Sequence, residues 1–135
     1  MKKGFTLLFT VLFISASLAI SLGLSSLVIG QIQLSGSGRD SQLAFYAADS
    51  GVECALYWDG AKNSFATSSQ STITCARQSR VVGGAKLSSF NFSLSNGSCV
   101  QVKVDKSSPR ETVVTSLGRS PCEGRRVERG LQVSY

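Results

Sequence analysis

After Lys3 the chain runs to Arg39 without a charged side chain, and the 28 residues from Phe5 to Ile32 are mostly apolar. No single surface helix of a small soluble domain needs so long a stretch without charge. A membrane span needs about 20 apolar residues. Serines at 15, 17, 21, 25 and 26 dilute the run, but each can bond back to its own helix. Lys2 and Lys3 set the orientation, N-terminus inside, with everything downstream outside. A cleavable export signal would use Lys2-Lys3, then Phe5 to Leu18, then the small-x-small site Ser17-Leu18-Ala19. Such a signal gives no reason for the apolar character to continue through Leu22, Leu24, Leu27, Val28, Ile29 and Ile32. The segment therefore reads as one that the finished protein keeps.

The spacing predicts a helix from Phe5 to Trp58, without an interrupting proline. Its weak point is Ser35-Gly36-Ser37-Gly38, because each glycine costs about 1 kcal/mol relative to alanine in a helix. Beyond it, Phe45, Ala48, Val52 and Ala55 share a stripe, with Arg39, Gln42, Asp49 and Glu53 largely off it. This is an amphipathic face that needs a partner. Asp59-Gly60 is the expected stop. The boundaries are then residues 1–4 as a basic leader, 5–34 as the apolar helix, 35–59 as its amphipathic continuation and 60–135 as a head domain.

The head region changes period. Ser71 to Cys75 is β-prone. Phe90, Phe92 and Leu94 alternate with polar residues, Asn96-Gly97 makes a turn, and Val100, Val102 and Val104 alternate in their turn. Thr112 to Leu117 is a further β-prone run, closed by Gly118. Val127, Arg129, Leu131, Val133 and Tyr135 then fall on one face of a last strand. About four antiparallel strands after one helix predict an α+β fold in which the helix covers one face of the sheet. So small a head needs staples. Cys54, Cys75, Cys99 and Cys122 supply them, and they suit an oxidising compartment. Four cysteines allow three pairings. Proximity in sequence favours Cys54–Cys75 and Cys99–Cys122, each bridge worth about 3 kcal/mol in the chain-entropy account.

Chemistry is sparse. There is no histidine, so the commonest general base is missing, and neither a catalytic set nor a metal or cofactor site is expected. Asp49 and Glu53 read as a solvated helix face. Gly83-Gly84 lacks the strand-to-helix setting of a phosphate loop. Without Lys2 and Lys3 the chain carries twelve basic against eight acidic side chains. Arg119, Arg125, Arg126 and Arg129 are interleaved with Glu123 and Glu128, and no nucleic-acid motif accompanies them.

Two stretches carry a family resemblance. Lys2-Lys3-Gly4-Phe5-Thr6-Leu7-Leu8 is similar to the N-terminus of type IV prepilins. Leu43-Ala44-Phe45-Tyr46-Ala47-Ala48-Asp49-Ser50-Gly51 resembles the LAFxAAExG-type stretch of PilX-type minor pilins. The resemblance covers residues 1 to about 58. It implies cleavage between Gly4 and Phe5 by a prepilin peptidase, and methylation of Phe5. It also implies handling by a pilus assembly platform and stacking against other pilin subunits. Before assembly the chain would sit once across the cytoplasmic membrane. Afterwards it would belong to a surface pilus or a periplasmic pseudopilus. Major pilins carry Glu where this chain has Phe9, and no acid precedes Asp40. That departure points to a minor or tip-proximal subunit. Close helix contacts are expected at Gly23, Ser26 and Gly30. The alternatives are a pseudopilin of type II secretion and a membrane-anchored binding domain that does not polymerise.

Overall fold

The computed structural model describes residues 3–124 and 127–135, with only the backbone of Lys3. Met1 and Lys2 of the leader, and Arg125 and Arg126 of the basic cluster, lie outside the described residues. One helix, α1 (Lys3–Lys62), is followed by β1 (Gln70–Cys75), β2 (Gln78–Gly83), β3 (Leu87–Ser93), β4 (Cys99–Asp105), β5 (Val113–Ser120) and β6 (Val127–Ser134). The architecture is α+β. The chain divides into two units, Met1–Ser37 and Gly38–Tyr135.

In the first unit α1 carries the apolar segment, and helix is continuous through Gly36 and Gly38 despite their propensity cost. The predicted stop at Asp59-Gly60 falls short, because α1 runs on to Lys62. Termination comes from Asn63, whose φ of 48° is left-handed. Its N–H donates to the Asp59 carbonyl at 2.9 Å, an αL cap in which asparagine does the work of glycine.

In the second unit β3-β4-β5-β6 form an antiparallel four-stranded sheet and β1-β2 a separate hairpin. The predicted hairpin pairs as its alternation requires, Phe90 opposite Val102 and Phe92 opposite Val100. β5 alternates strictly between buried and half-buried residues and does not close at Gly118 but continues to Ser120. The described residues form six strands against the expected four or so, and β2 alone falls outside every β-prone run of the sequence. Its turn, Ala76-Arg77, has both residues at positive φ (47° and 65°). This is hairpin-turn geometry without the Asn-Gly or Asp-Gly signal that normally announces it.

The second half of α1 packs on the sheet through Ala48, Val52 and Ala55 as expected, but Ala44 and Ala47 are buried with them and Phe45 stands 44% exposed. The exclusion of Phe45 follows from closeness of approach. A Cβ on Gly118 would strike the Ala44 carbonyl and the Ala48 backbone nitrogen, and one on Gly51 would strike Ser116, Val100 and Val102. Only small residues fit where helix and strand backbones come this near, and a phenylalanine does not.

At its far end the helix is tied down by charge. Asp59, its side chain 6% exposed, accepts Lys106 Nζ at 2.6 Å through Oδ1. Its Oδ2 accepts the Tyr135 hydroxyl at 2.6 Å. Burial, followed by the bond to Asp59 and its charge, raises the Tyr135 phenol well above its ordinary value of 10.0. The hairpin is fixed separately. A Cys54–Cys75 disulfide joins α1 to β1, and Trp58 Nε1 donates to the Thr74 carbonyl at 3.2 Å.

Two predictions follow from this packing. Gly118→Ala and Gly51→Ala should each destabilise the full chain in detergent by about 2–3 kcal/mol, since overpacking here meets backbone and rigid side chains. Gly60→Ala, with nothing near its added methyl, should instead stabilise by about 0.5–1 kcal/mol. Denaturant titration distinguishes the two signs. For Tyr135, a folded pKa above the unfolded one means a contribution complete below pH 10 and lost as pH rises further. Wild-type stability should fall more steeply above pH 10 than that of Tyr135→Phe, measured by unfolding midpoints across that range.

Candidate functional site

The residues singled out on the apolar segment share one property: nothing in the chain covers them. Every described residue from Gly4 to Arg39 is exposed. Phe5 is 73% exposed and begins a ring ladder at helical spacing, with centroids 6.5 Å apart to Phe9 and 5.8 Å from Phe9 to Phe13. Phe9, in the position where the resemblance leads one to expect a carboxylate, is thus a rung of an apolar stripe.

Most hydroxyls of this segment bond back onto the helix itself, though not that of Ser25. Thr10 donates to Leu7 O, Ser15 to Leu12 O, Ser17 to Phe13 O and Ser21 to Ser17 O, all at 2.9 Å. Ser26 donates to Gly23 O at 2.9 Å. A hydroxyl already bonded to a backbone carbonyl costs far less to take out of water than a free one. Gly23, Ser26 and Gly30 follow three-to-four spacing, and neither glycine has a heavy atom near the place of its missing Cβ. They leave a shallow open strip on the helix. By length and composition the segment is apolar enough to cross a membrane.

Among the described residues of the head, no three His, Cys, Asp or Glu side chains gather as a metal-binding group. Asp105 titrates low because the Ser107 hydroxyl and N–H bond its carboxylate, with a smaller attraction from Lys103. The Asp59–Lys106–Tyr135 cluster was invisible in sequence. Its members lie 47 and 76 positions from Asp59, which the sequence marks only as a helix stop.

The four cysteines divide. Cys54–Cys75 is bonded as expected. Cys99 and Cys122 correct the expectation of a second bridge, for both are free thiols. They are neighbours nonetheless. Cys99 opens β4, and the Cys122 N–H donates to the Gly97 carbonyl at 3.1 Å, holding the β5–β6 connection against the β3–β4 turn. The thiols hydrogen-bond to each other. Burial first, and then Cys99, push the Cys122 thiol up to about 11, so at neutral pH it stays protonated and a poor nucleophile.

In class, then, this is an α+β head stapled by one disulfide, on a helix long and apolar enough to cross a membrane. Comparison with family models, curated proteins and solved structures returns no match for this chain.

The thiol pair yields a further expectation. Oxidised glutathione at alkaline pH should join Cys99 to Cys122, with two glutathione thiols carrying off the two hydrogens. Mass spectrometry after alkylation should then find no modified cysteine in the full chain. Persistent double alkylation at Cys99 and Cys122 contradicts it.

Proposed function

We propose that this chain is a structural subunit of a type IV pilus or pilus-like filament, minor or tip-proximal in position. The observation that carries the reading is the uncovered, charge-free helix surface from Phe5 to Leu34, joined to a disulfide-stapled head. The leader Lys2-Lys3-Gly4 ahead of Phe5 adds the processing step. A prepilin peptidase cleaves after Gly4, and Phe5 becomes the methylated N-terminus. Until then the segment rests in the cytoplasmic membrane with its leader inside. An assembly platform later withdraws it, and the head is displayed on the cell surface or in the periplasm.

Moving apolar surface from lipid to protein gains little in itself, so contact between subunits has to come from close packing. The open strip at Gly23, Ser26 and Gly30 supports such contact, and back-bonding of Ser17, Ser21 and Ser26 leaves those hydroxyls satisfied inside a filament core. Phe9 sets the position within the filament. Cleavage creates a charged amine in apolar surroundings, which is costly without a partner. This segment holds no carboxylate, so the amine depends on a neighbouring subunit's acid. A chain that borrows this charge and cannot lend one suits a few places in a filament better than every place.

The test is the mature N-terminus. Expressed beside a prepilin peptidase, the chain should lose residues 1–4 and begin with N-methylated Phe5 by mass spectrometry. Gly4→Val should keep its leader and stay out of filaments. A mature protein beginning at residue 20 or later would refute the proposal.

A further inference from the structure

The four-stranded sheet has two edges, and the chain treats them oppositely. The bonds Leu94 N–H to Ser98 O (2.8 Å) and Lys106 N–H to Lys86 O (2.7 Å), one at each end, fix the phase of β3 on β4. The backbone groups of Asn91 and Ser93 therefore point away from β4, to the outer edge. There three of the four are bonded by side chains from β2. Arg80 Nε donates to Asn91 O at 2.9 Å, Gln78 Nε2 donates to Ser93 O at 3.1 Å, and Ser93 N–H donates to Gln78 Oε1 at 3.4 Å. The hairpin is also capped, at Thr74 O, by Trp58.

The other edge is β6. Thr112 and Tyr135 exchange both backbone bonds, at 2.8 and 3.1 Å. With that pair as phase, the N–H and C=O groups of Glu128, Gly130, Gln132 and Ser134 point away from β5. Among the described residues none of these groups has a hydrogen-bond partner. All four residues are exposed. β6 pairs with β5 over eight residues without a bulge, and it contains neither proline nor lysine, the usual devices that protect an edge.

We propose that the β6 edge receives an extended acidic segment of a different protein as an added strand. The charge follows from β6 itself. Glu128 is already paired with Arg119 at 2.6 Å, whereas Arg129 donates only to Ser41 Oγ, at 2.7 Å, and has no ion pair among the described residues. An incoming carboxylate supplies one, and the basic excess of the chain attracts it. The choice of a different protein rests on charge: a second copy carries the same basic excess and brings another Arg129 without an ion pair, whereas an acidic strand supplies the missing carboxylate.

The test uses the full chain in neutral-detergent micelles and a fluorescein-labelled octapeptide alternating valine with glutamate. Main-chain bonds supply most of the affinity in strand addition, so a generic extended probe suffices. Saturable binding is expected, with the amides of Glu128, Gly130, Gln132 and Ser134 exchanging freely in the chain alone and slowly with the probe. Gln132→Pro and Gly130→Pro each delete an outward N–H and no bond to β5, so each should weaken binding about tenfold or more. The proposal is overturned by fast exchange at those four amides under saturating probe, by unchanged affinity in both variants, or by equal binding of a valine–lysine probe. It is also overturned if the chain alone is a dimer that Gln132→Pro makes monomeric, since β6 would then serve a second copy. An unmethylated N-terminus would refute the filament reading and leave these exchange rates untouched.

Discussion

The head depends on how closely its helix lies against its sheet. Where Ala44 and Ala48 pass over Gly118, and Gly51 passes over Val100, Val102 and Ser116, there is no room for a further methyl group. Contacts this short are made by backbone and Cβ atoms rather than by long side chains. Dispersion is gained from many near neighbours, and no rotamer freedom is lost to obtain it. The same closeness excludes water from the centre of the head, and the neighbouring valines complete a core that contains few large side chains. Phe65, Phe90 and Phe92 thicken it at one end, with Phe65 and Phe90 centroids 5.8 Å apart.

The two units solve opposite problems with one helix. Residues up to Ser37 present apolar surface outward and turn most of their hydroxyls in on the helix backbone. Beyond Gly38 the apolar residues are small and face a sheet, and the outward positions carry Asp49, Glu53 and Tyr57. No change of backbone marks the boundary, because helix propensity is similar on both sides. What changes is the solvent that each side chain suits. The division between units therefore falls within an unbroken element of secondary structure.

Much of this was legible in the sequence for a physical reason. Period and turn chemistry are local, and they located α1, the Asn96-Gly97 hairpin and the inward face of β6. The misses are equally physical. The buried stripe was assigned to Phe45 on hydrophobicity, whereas proximity to Gly118 selected alanines, and nothing near Phe45 in sequence encodes a glycine 73 positions away. β2 escaped because Ala76 and Arg77 accept positive φ without being the residues that advertise it. The Cys54–Cys75 pairing followed from proximity along the chain, but proximity brought Cys99 and Cys122 only into contact. The exposed helix surface was legible as surface, and its occupant was not, since a partner outside the chain leaves no pattern within it.

Anchoring of the head to α1 is spread along the helix. Arg129 holds Ser41, the glycine contacts hold residues 44 to 51, Cys54 and Trp58 hold β1, and Asp59 holds Lys106 and Tyr135. A two-stranded hairpin such as β1-β2 is marginal alone, and the disulfide adds a covalent tie to the packing of Ile73 and Val82 in the core. The four-stranded sheet has a core and is held by packing, with charge only at its end. Any pull on the helix then reaches both sheets at several points together. Loss of any one contact leaves its neighbours along the same stretch of helix in place.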